Sequence, residues 1–251
     1  MVQLSPITKR LKKSVKLLIG ERYYYLTIAY NNDSRQIKNR ERERMKKFID
    51  LSQDIINHMP VYPGDGDVKL YQDKYLDKDG YTSFYLEIGM HAGTHIDTPM
   101  HLIDQKTFIN EIPLHKFAGK GCFLDVRNEK VIEYKQEYEN LVCKDEIVIL
   151  YTNHSRYYGK EEYYTDHPVI SAELADFLIE KKIKMLGIDM PSPDRYPFKI
   201  HKKMFENNIL IMENLTNLSE LLETVSFDVI AFPLKIKAEA SMVRAVASID
   251  V

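Results

Sequence analysis

From residue 48 onward this chain is punctuated by short apolar or alternating runs of strand length. Only two stretches show the three-to-four spacing of an amphipathic helix. Residues 48–52 and 54–56 predict a first strand, followed by a loop carrying Met59-Pro-Val-Tyr-Pro-Gly-Asp65, in which Pro63-Gly64 is a turn signal. Residues 69–75 and 82–89 predict two strands joined by a hairpin-type turn at Asp79-Gly80. Further strands are predicted at 121–126, 146–151, 184–188 and 228–236, with 242–249 last, and the apolar run 209–212 predicts a short strand ending at Glu213. Ser171 reads as the N-cap of a helix over 172–182, and 198–207 is the second helix, closed by Asn207-Asn208. Strands and helices interleave without a regular βαβ repeat, and no Gly-rich phosphate loop or Gly-x-Ser-x-Gly elbow is present. The pattern predicts the α/β class, with one mixed-sheet domain over residues 45–251.

Composition changes this picture at one end only. Apolar residues make up 44% of the 251 and charged residues 29%, as in a globular protein. Residues 1–44 hold eleven Lys/Arg against four Asp/Glu, a net +7, which leaves −9 for the remainder. Three readings of this basic extension stay open: an arm for nucleic acid or anionic lipid, a poorly ordered tail, or a stretch upstream of a true start at Met45. The tail and start readings are preferred, so neither nucleic acid nor membrane is expected as a partner. Within the extension, 17–19 and 23–29 are apolar enough for a short helix or strand. The overall charge of −2 gives no nucleic-acid signal, and no apolar run approaches a membrane span. Cys122 and Cys143 form neither a disulfide framework nor a Cys-x-x-Cys motif, which fits a reduced, cytoplasmic setting.

The chemistry concentrates between His91 and Asp104. Three of the eight histidines fall at 91, 95 and 101, with Asp97 between the second and third. As one extended strand, the stretch would put His91, Gly93, His95, Asp97, Pro99 and His101 on one face and Ala92, Thr94, Ile96, Thr98, Met100 and Leu102 on the other. The zinc-protease helix needs Glu directly after its first His; Ala92 stands there, so that reading fails. Imidazoles grouped with a carboxylate suit a divalent cation, and burying them together without one would be costly. His201 and Glu213 lie at the ends of predicted elements and are candidates for further ligands. On spacing alone, an exposed helix residue is the commoner reading of His201. His58, His115, His154 and His167 have no such neighbours.

The run His91-x-Gly93-Thr94-His95-x-Asp97-x-Pro99-x-His101 resembles the signature of the cyclase/kynurenine formamidase family of metal-dependent hydrolases. The stretch from His201 to Glu213-Asn-Leu looks like that family's second block. Gly187-Ile-Asp-Met-Pro-Ser192, Phe232-Pro-Leu-Lys-Ile236 and the loop at 59–65 are similar to others. The resemblance spans about residues 48–246. It implies a swivelling β/β/α fold, assembly as a homodimer or homotetramer, and one or two divalent ions per chain, zinc first and manganese second. It also implies roles: His91, His95 and Asp97 as ligands of one ion, Asp97, His201 and Glu213 as ligands of the other, and His101 as the acid/base.

Two positions depart from the family. Tyr62 stands where kynurenine formamidases usually have Trp, and Ala238 and Ala240 stand where relatives tend to have glycines. Tyr62 can still stack on a flat small-molecule substrate. The implied reaction is hydrolysis of an amide, an aryl formamide of the N-formylkynurenine type first and an isatin-type cyclic amide second. The rival classes are a non-catalytic metal-dependent binding protein and a nucleic-acid binder working through the basic extension.

Overall fold

The computed structural model describes the backbone of residues 12–19 and 22–29 and all of residues 46–250. Contacts divide the chain into two units, Met1–Arg44 and Met45–Val251. In the first, β1 (Lys12–Ile19) and β2 (Arg22–Ala29) pair antiparallel, with Lys12 opposite Ala29 and Ile19 opposite Arg22. The apolar pieces of the extension are therefore strand. The readings for its other residues lie outside those described.

The second unit contains, in order, β3 (Lys46–Asp50), β4 (Lys69–Lys74), helix α1 (Leu76–Asp79), β5 (Ser83–Glu87), β6 (His95–Asp97), β7 (Ala118–Asp125), β8 (Val131–Ile132) and β9 (Ile147–Tyr151). It continues with α2 (Glu161–Thr165), β10 (Val169–Ile170), α3 (Ala172–Glu180), β11 (Met185–Ile188), α4 (Lys199–Glu206), β12 (Leu210–Glu213), β13 (Asp228–Ile230), β14 (Ala240–Met242) and β15 (Val246–Asp250). Nine strands form one mixed sheet in the order β14-β6-β12-β11-β9-β7-β13-β15-β3. The central four, β12, β11, β9 and β7, run parallel; the pairs on either side are antiparallel. Only residues 243–245 separate β14, at one edge, from β15, next to the other edge. So short a link across nine strands requires the sheet to curl.

Alternation along the buried strands serves two cores. In β9, Val148 and Leu150 join a cluster with Leu174, Phe177 and Leu178 of α3 and Met204 and Phe205 of α4. Ile147, Ile149 and Tyr151 face the opposite cluster, with Ile49, Ile96, Met212 and Val229. A sheet buried on both faces needs near-continuous apolar strands, as β9 and β11 have. Ser171 caps α3 as predicted, its hydroxyl accepting from the Leu174 amide.

Five expectations need correction, the first being the single strand at 242–249, which is broken between Met242 and Val246. The stretch from His91 is a strand only over His95–Asp97. Gly93 sits at φ +65°, which turns the chain before the strand, and a 3₁₀ turn begins at Pro99 after it. Residues 54–56 form no strand. The link between β4 and β5 is the four-residue α1, its end set by Gly80 at φ +78° and its start by Asp79, whose carboxylate accepts from the Tyr75 amide at 2.9 Å. The predicted strand at 228–236 stops at Ile230; Pro233, which has no N–H to donate, makes only an isolated bridge with Val243.

Candidate metal centre

Strand parity puts the ligating side chains on one face. Ile96 packs into the core away from α3 and α4, so His95 and Asp97 on either side of it point toward the helices. Ile211 of β12 belongs to the helix-side core, and Glu213, two residues on, shares its face. The β6–β12 register places Glu213 directly opposite His95. From the helix layer, α4 presents His201 on the same side as Met204 and Phe205, and all three are buried. Phe198, at φ +59°, offers this helix no side-chain cap; the Asp194 carboxylate accepts from the Ile200 amide at 2.6 Å instead.

These side chains converge on Asp97. Its Oδ1 lies 2.9 Å from His91 Nδ1 and 3.3 Å from His95 Nε2, and its Oδ2 lies 3.6 Å from His201 Nε2. Glu213 stands 3.4 Å from His95 Nε2 and 3.3 Å from His201 Nε2. Five of these buried atoms make no hydrogen bond: His95 Nε2, both Asp97 oxygens, His201 Nε2 and Glu213 Oε1. Buried polar atoms are normally satisfied, so five orphans facing one another need a common partner. Imidazole nitrogens and carboxylate oxygens are donors that suit a divalent cation. The described residues offer two overlapping ligand groups, His95, Asp97 and Glu213, and His91, Asp97 and His101, with Asp97 common to both. This grouping differs from the one the family resemblance implies, which puts His91 and His95 on the same ion and leaves His101 out.

The far side of each ring is also held. His95 Nδ1 donates to the Gly93 carbonyl at 2.8 Å, which leaves Nε2 with its lone pair toward the cluster. His201 Nδ1 lies 3.3 Å from Ser192 Oγ and 3.4 Å from Asp194 Oδ1. His91 Nε2 lies 3.3 Å from Glu239. Such outer partners fix the tautomer and aim of a metal-binding imidazole. Gly93 matters here through its backbone: its left-handed φ turns its carbonyl back onto His95, and an added Cβ would come within 3.0 Å of Met59.

Charge interactions explain how these groups titrate. Burial depresses His201, but Asp194, Asp97 and Glu213 outweigh it and raise the imidazole to about 9. His95 is likewise lowered by burial, yet Asp97 and Glu213 hold it well above its ordinary value. Burial would raise Asp97, and the surrounding imidazoles take it well below the usual carboxylate range. Burial takes His101 and His167 the other way, to about 4.

The signs set a pH optimum for the metal-free chain. A folded pKa of about 9 for His201 means stability present below 6.5 and lost as pH rises toward 9, worth about 3 kcal/mol at this shift. Folded values of about 4 at His101 and His167 mean stability lost as pH falls from 6.5 toward 4. Chelator-treated protein should therefore melt highest near pH 6.5 and lower on either side. A melting temperature that climbs steadily from pH 6.5 to 9 would contradict this. Adding zinc should stabilise most at the alkaline end, where no proton competes for the imidazoles.

The centre opens into a cleft of about 220 Å³. His101 lines it, its ring centroid 4.2 Å from that of His91. Tyr62 lines it too, edge-on to Tyr164 at 5.8 Å. The structure thus gathers His91, His95, Asp97, His101, His201, Glu213 and Tyr62 around one space. His58 pairs with Asp67, and the buried His154 and His167 line a separate cleft. Sequence reasoning missed Asp194, Asn214, Glu239 and the tyrosines of α2. Asn214 directly follows Glu213 inside a block quoted for its likeness, which was the available signal. At Ala238 and Ala240 no positive φ occurs, so this backbone does not need glycine at either position.

Comparisons with known proteins show the family and the fold. Residues 49–195 match the cyclase family model, described as "Putative cyclase". An uncharacterized protein of Methanocaldococcus jannaschii is 33% identical over 205 residues, covering 80% of this chain and 98% of the relative. A kynurenine formamidase of Bacillus cereus is 30% identical over 212 residues, covering 81% of this chain and 98% of the relative. Among solved structures, an isatin hydrolase bound to the product analogue thioisatinate superposes with a TM-score of 0.74 at 20% identity, covering 82% of this chain and 93% of the other. With its HxGTHxDxPxH run built into the centre described above, the chain belongs to the cyclase family.

Proposed function

We propose that this chain is a metal-dependent hydrolase of amide C–N bonds, with an aryl formamide of the N-formylkynurenine type as its substrate. The observation that carries the reading is the set of five orphaned, buried donor atoms at the floor of an aromatic-walled cleft. His91, His95, Asp97, His201 and Glu213 would hold one or two divalent ions, zinc first by its affinity for mixed imidazole and carboxylate sites and manganese second. When bound, such an ion acidifies water toward neutral pH and polarises a carbonyl oxygen. The chain's own residues do the rest. Tyr62 and Tyr164 offer aromatic surface to a flat substrate, and His101, neutral at working pH and lining the same cleft, can take the proton that the attacking water gives up and pass it to the departing amine. An isatin-type cyclic amide is the second substrate class, supported by the likeness to isatin hydrolase.

The test is a panel assay. Zinc- or manganese-loaded protein should hydrolyse N-formylkynurenine or simple formanilides faster than isatin, and chelation should abolish turnover. Isatin turned over faster than any formanilide would move the assignment to the cyclic amide; no turnover of either, despite stoichiometric metal, would leave a binding protein.

We further propose a homo-oligomer, supported by the β4–β5 hairpin. This two-stranded sheet exposes Tyr71 and Tyr85 on one face and Phe84 and Leu86 on the other. An isolated hairpin is at best marginally stable, so one with apolar residues exposed on both faces needs cover. Sedimentation should show a dimer or larger, and Phe84→Lys should weaken it; a monomer at micromolar concentration would remove the proposal.

A further inference from the structure

We propose that Tyr163 of α2 is a positioning residue for the metal centre, acting through Asn214 on His95. The inference rests on the reading of that centre as a cation site. Tyr163 is fully buried, and its hydroxyl donates to Asn214 Oδ1 at 2.7 Å. That bond decides which way the Asn214 amide faces. Its nitrogen then donates to the Gly93 carbonyl at 2.9 Å and stands 3.4 Å from His95 Nδ1. The same Gly93 carbonyl accepts from His95 Nδ1. One carbonyl thus serves both the ring and the amide, and the tyrosine keeps the amide from turning over. Were it to flip, Asn214 Oδ1 would face the Gly93 oxygen and compete for the proton on His95 Nδ1. The ring would lose its single direction, and Nε2 its aim at Asp97 and Glu213.

Everything around the hydroxyl is fixed. The Asn214 backbone, at φ +59°, donates to the Met190 carbonyl and accepts from the Thr94 hydroxyl at 2.8 Å. The Tyr163 ring stacks on His154 at 5.2 Å and meets Tyr158 and Tyr164 edge-on at 5.2 and 5.1 Å. A buried tyrosine needs some partner for its hydroxyl, and any carbonyl would satisfy that need. Here the partner is a side chain that also reaches the carbonyl bonded to a ligand ring.

The test uses the full chain, with zinc and cobalt as probes. Tyr163→Phe removes one oxygen and keeps the ring. It should weaken zinc by about 10–100-fold, the usual worth of an outer partner of a metal ligand. The visible spectrum of the cobalt-loaded variant should differ from wild type, since the donor set is no longer held in one geometry. Asn214→Gly suits the positive φ, removes the amide, and should give the same loss. The double variant should lose no more than either single one, because both act on one path. A merely structural tyrosine would lower the melting temperature and leave zinc affinity and cobalt spectrum as in wild type, and that result overturns the proposal. Losses that simply add in the double variant overturn it too. If the wild-type chain takes up neither ion, the reading of the centre fails; if wild type and variants bind equally, the failure belongs to Tyr163 alone.

Discussion

Asp97→Asn should leave the protein without stoichiometric metal and reduce hydrolysis to background. Asp97 is the residue on which both ligand groups depend. Its two oxygens face His91 and His95 on one side and His201 on the other, and the side chain is buried at 1% exposure. Asparagine fills the same volume but removes the charge and turns N–H donors toward where a cation would sit. The loss in metal affinity should exceed the roughly 10–100-fold that an outer partner is worth. The change should also be visible without metal. His95 and His201 are held above their ordinary values partly by Asp97, and removing one member of a buried charge cluster costs about 3–5 kcal/mol. Chelator-treated Asp97→Asn should therefore melt below chelator-treated wild type at pH 6.5, and the gap should narrow toward pH 9 as the imidazoles lose their protons. Full metal content after dialysis, measured by elemental analysis, would show that Asp97 is not shared between the groups.

The residues of this centre were legible in the sequence, but its geometry was not. Alternation gave the right face for His95 and Asp97, because Ile96 between them is a core residue in a true strand. It gave a wrong reason for His91 and His101. They approach the cluster because Gly93 turns the chain on one side and Pro99 starts a 3₁₀ turn on the other. A glycine and a proline read as breaks in a strand are here what folds its two ends inward. Three of the outer partners had no local signature. Asp194, Glu239 and Tyr163 reach the centre from loops and a five-residue helix far along the chain, and such contacts have no periodicity to detect. The same limit explains the end of the fold. Residues 242–249 are apolar enough to look like one strand, whereas Val243 to Ala245 carry the chain from one edge of the curled sheet toward the other.

His101→Ala should separate holding the metal from using it. In the present arrangement His101 sits in the 3₁₀ turn after β6, outside the group formed by His95, Asp97 and Glu213. Burial takes its imidazole down to about 4, so it is neutral near pH 7 and offers a lone pair or an N–H into the cleft. If it acts as the acid/base, the alanine variant should keep its zinc and lose about 10²–10⁴-fold in turnover. The loss should shrink for formanilides with electron-withdrawing rings, whose departing amines need less protonation. The geometry also allows the other role, since His101 can share an ion with His91 and Asp97. Then the variant would lose metal and activity in proportion, and added zinc in excess would restore part of both. Elemental analysis and turnover measured on the same preparation distinguish the two. An acid leaves metal content at wild-type level while activity falls, and a ligand moves them together. A variant that keeps both would leave the hydroxyls of the cleft, those of Tyr62, Tyr158, Tyr164 and Ser192, and water as proton donors, and the role assigned to His101 would be withdrawn.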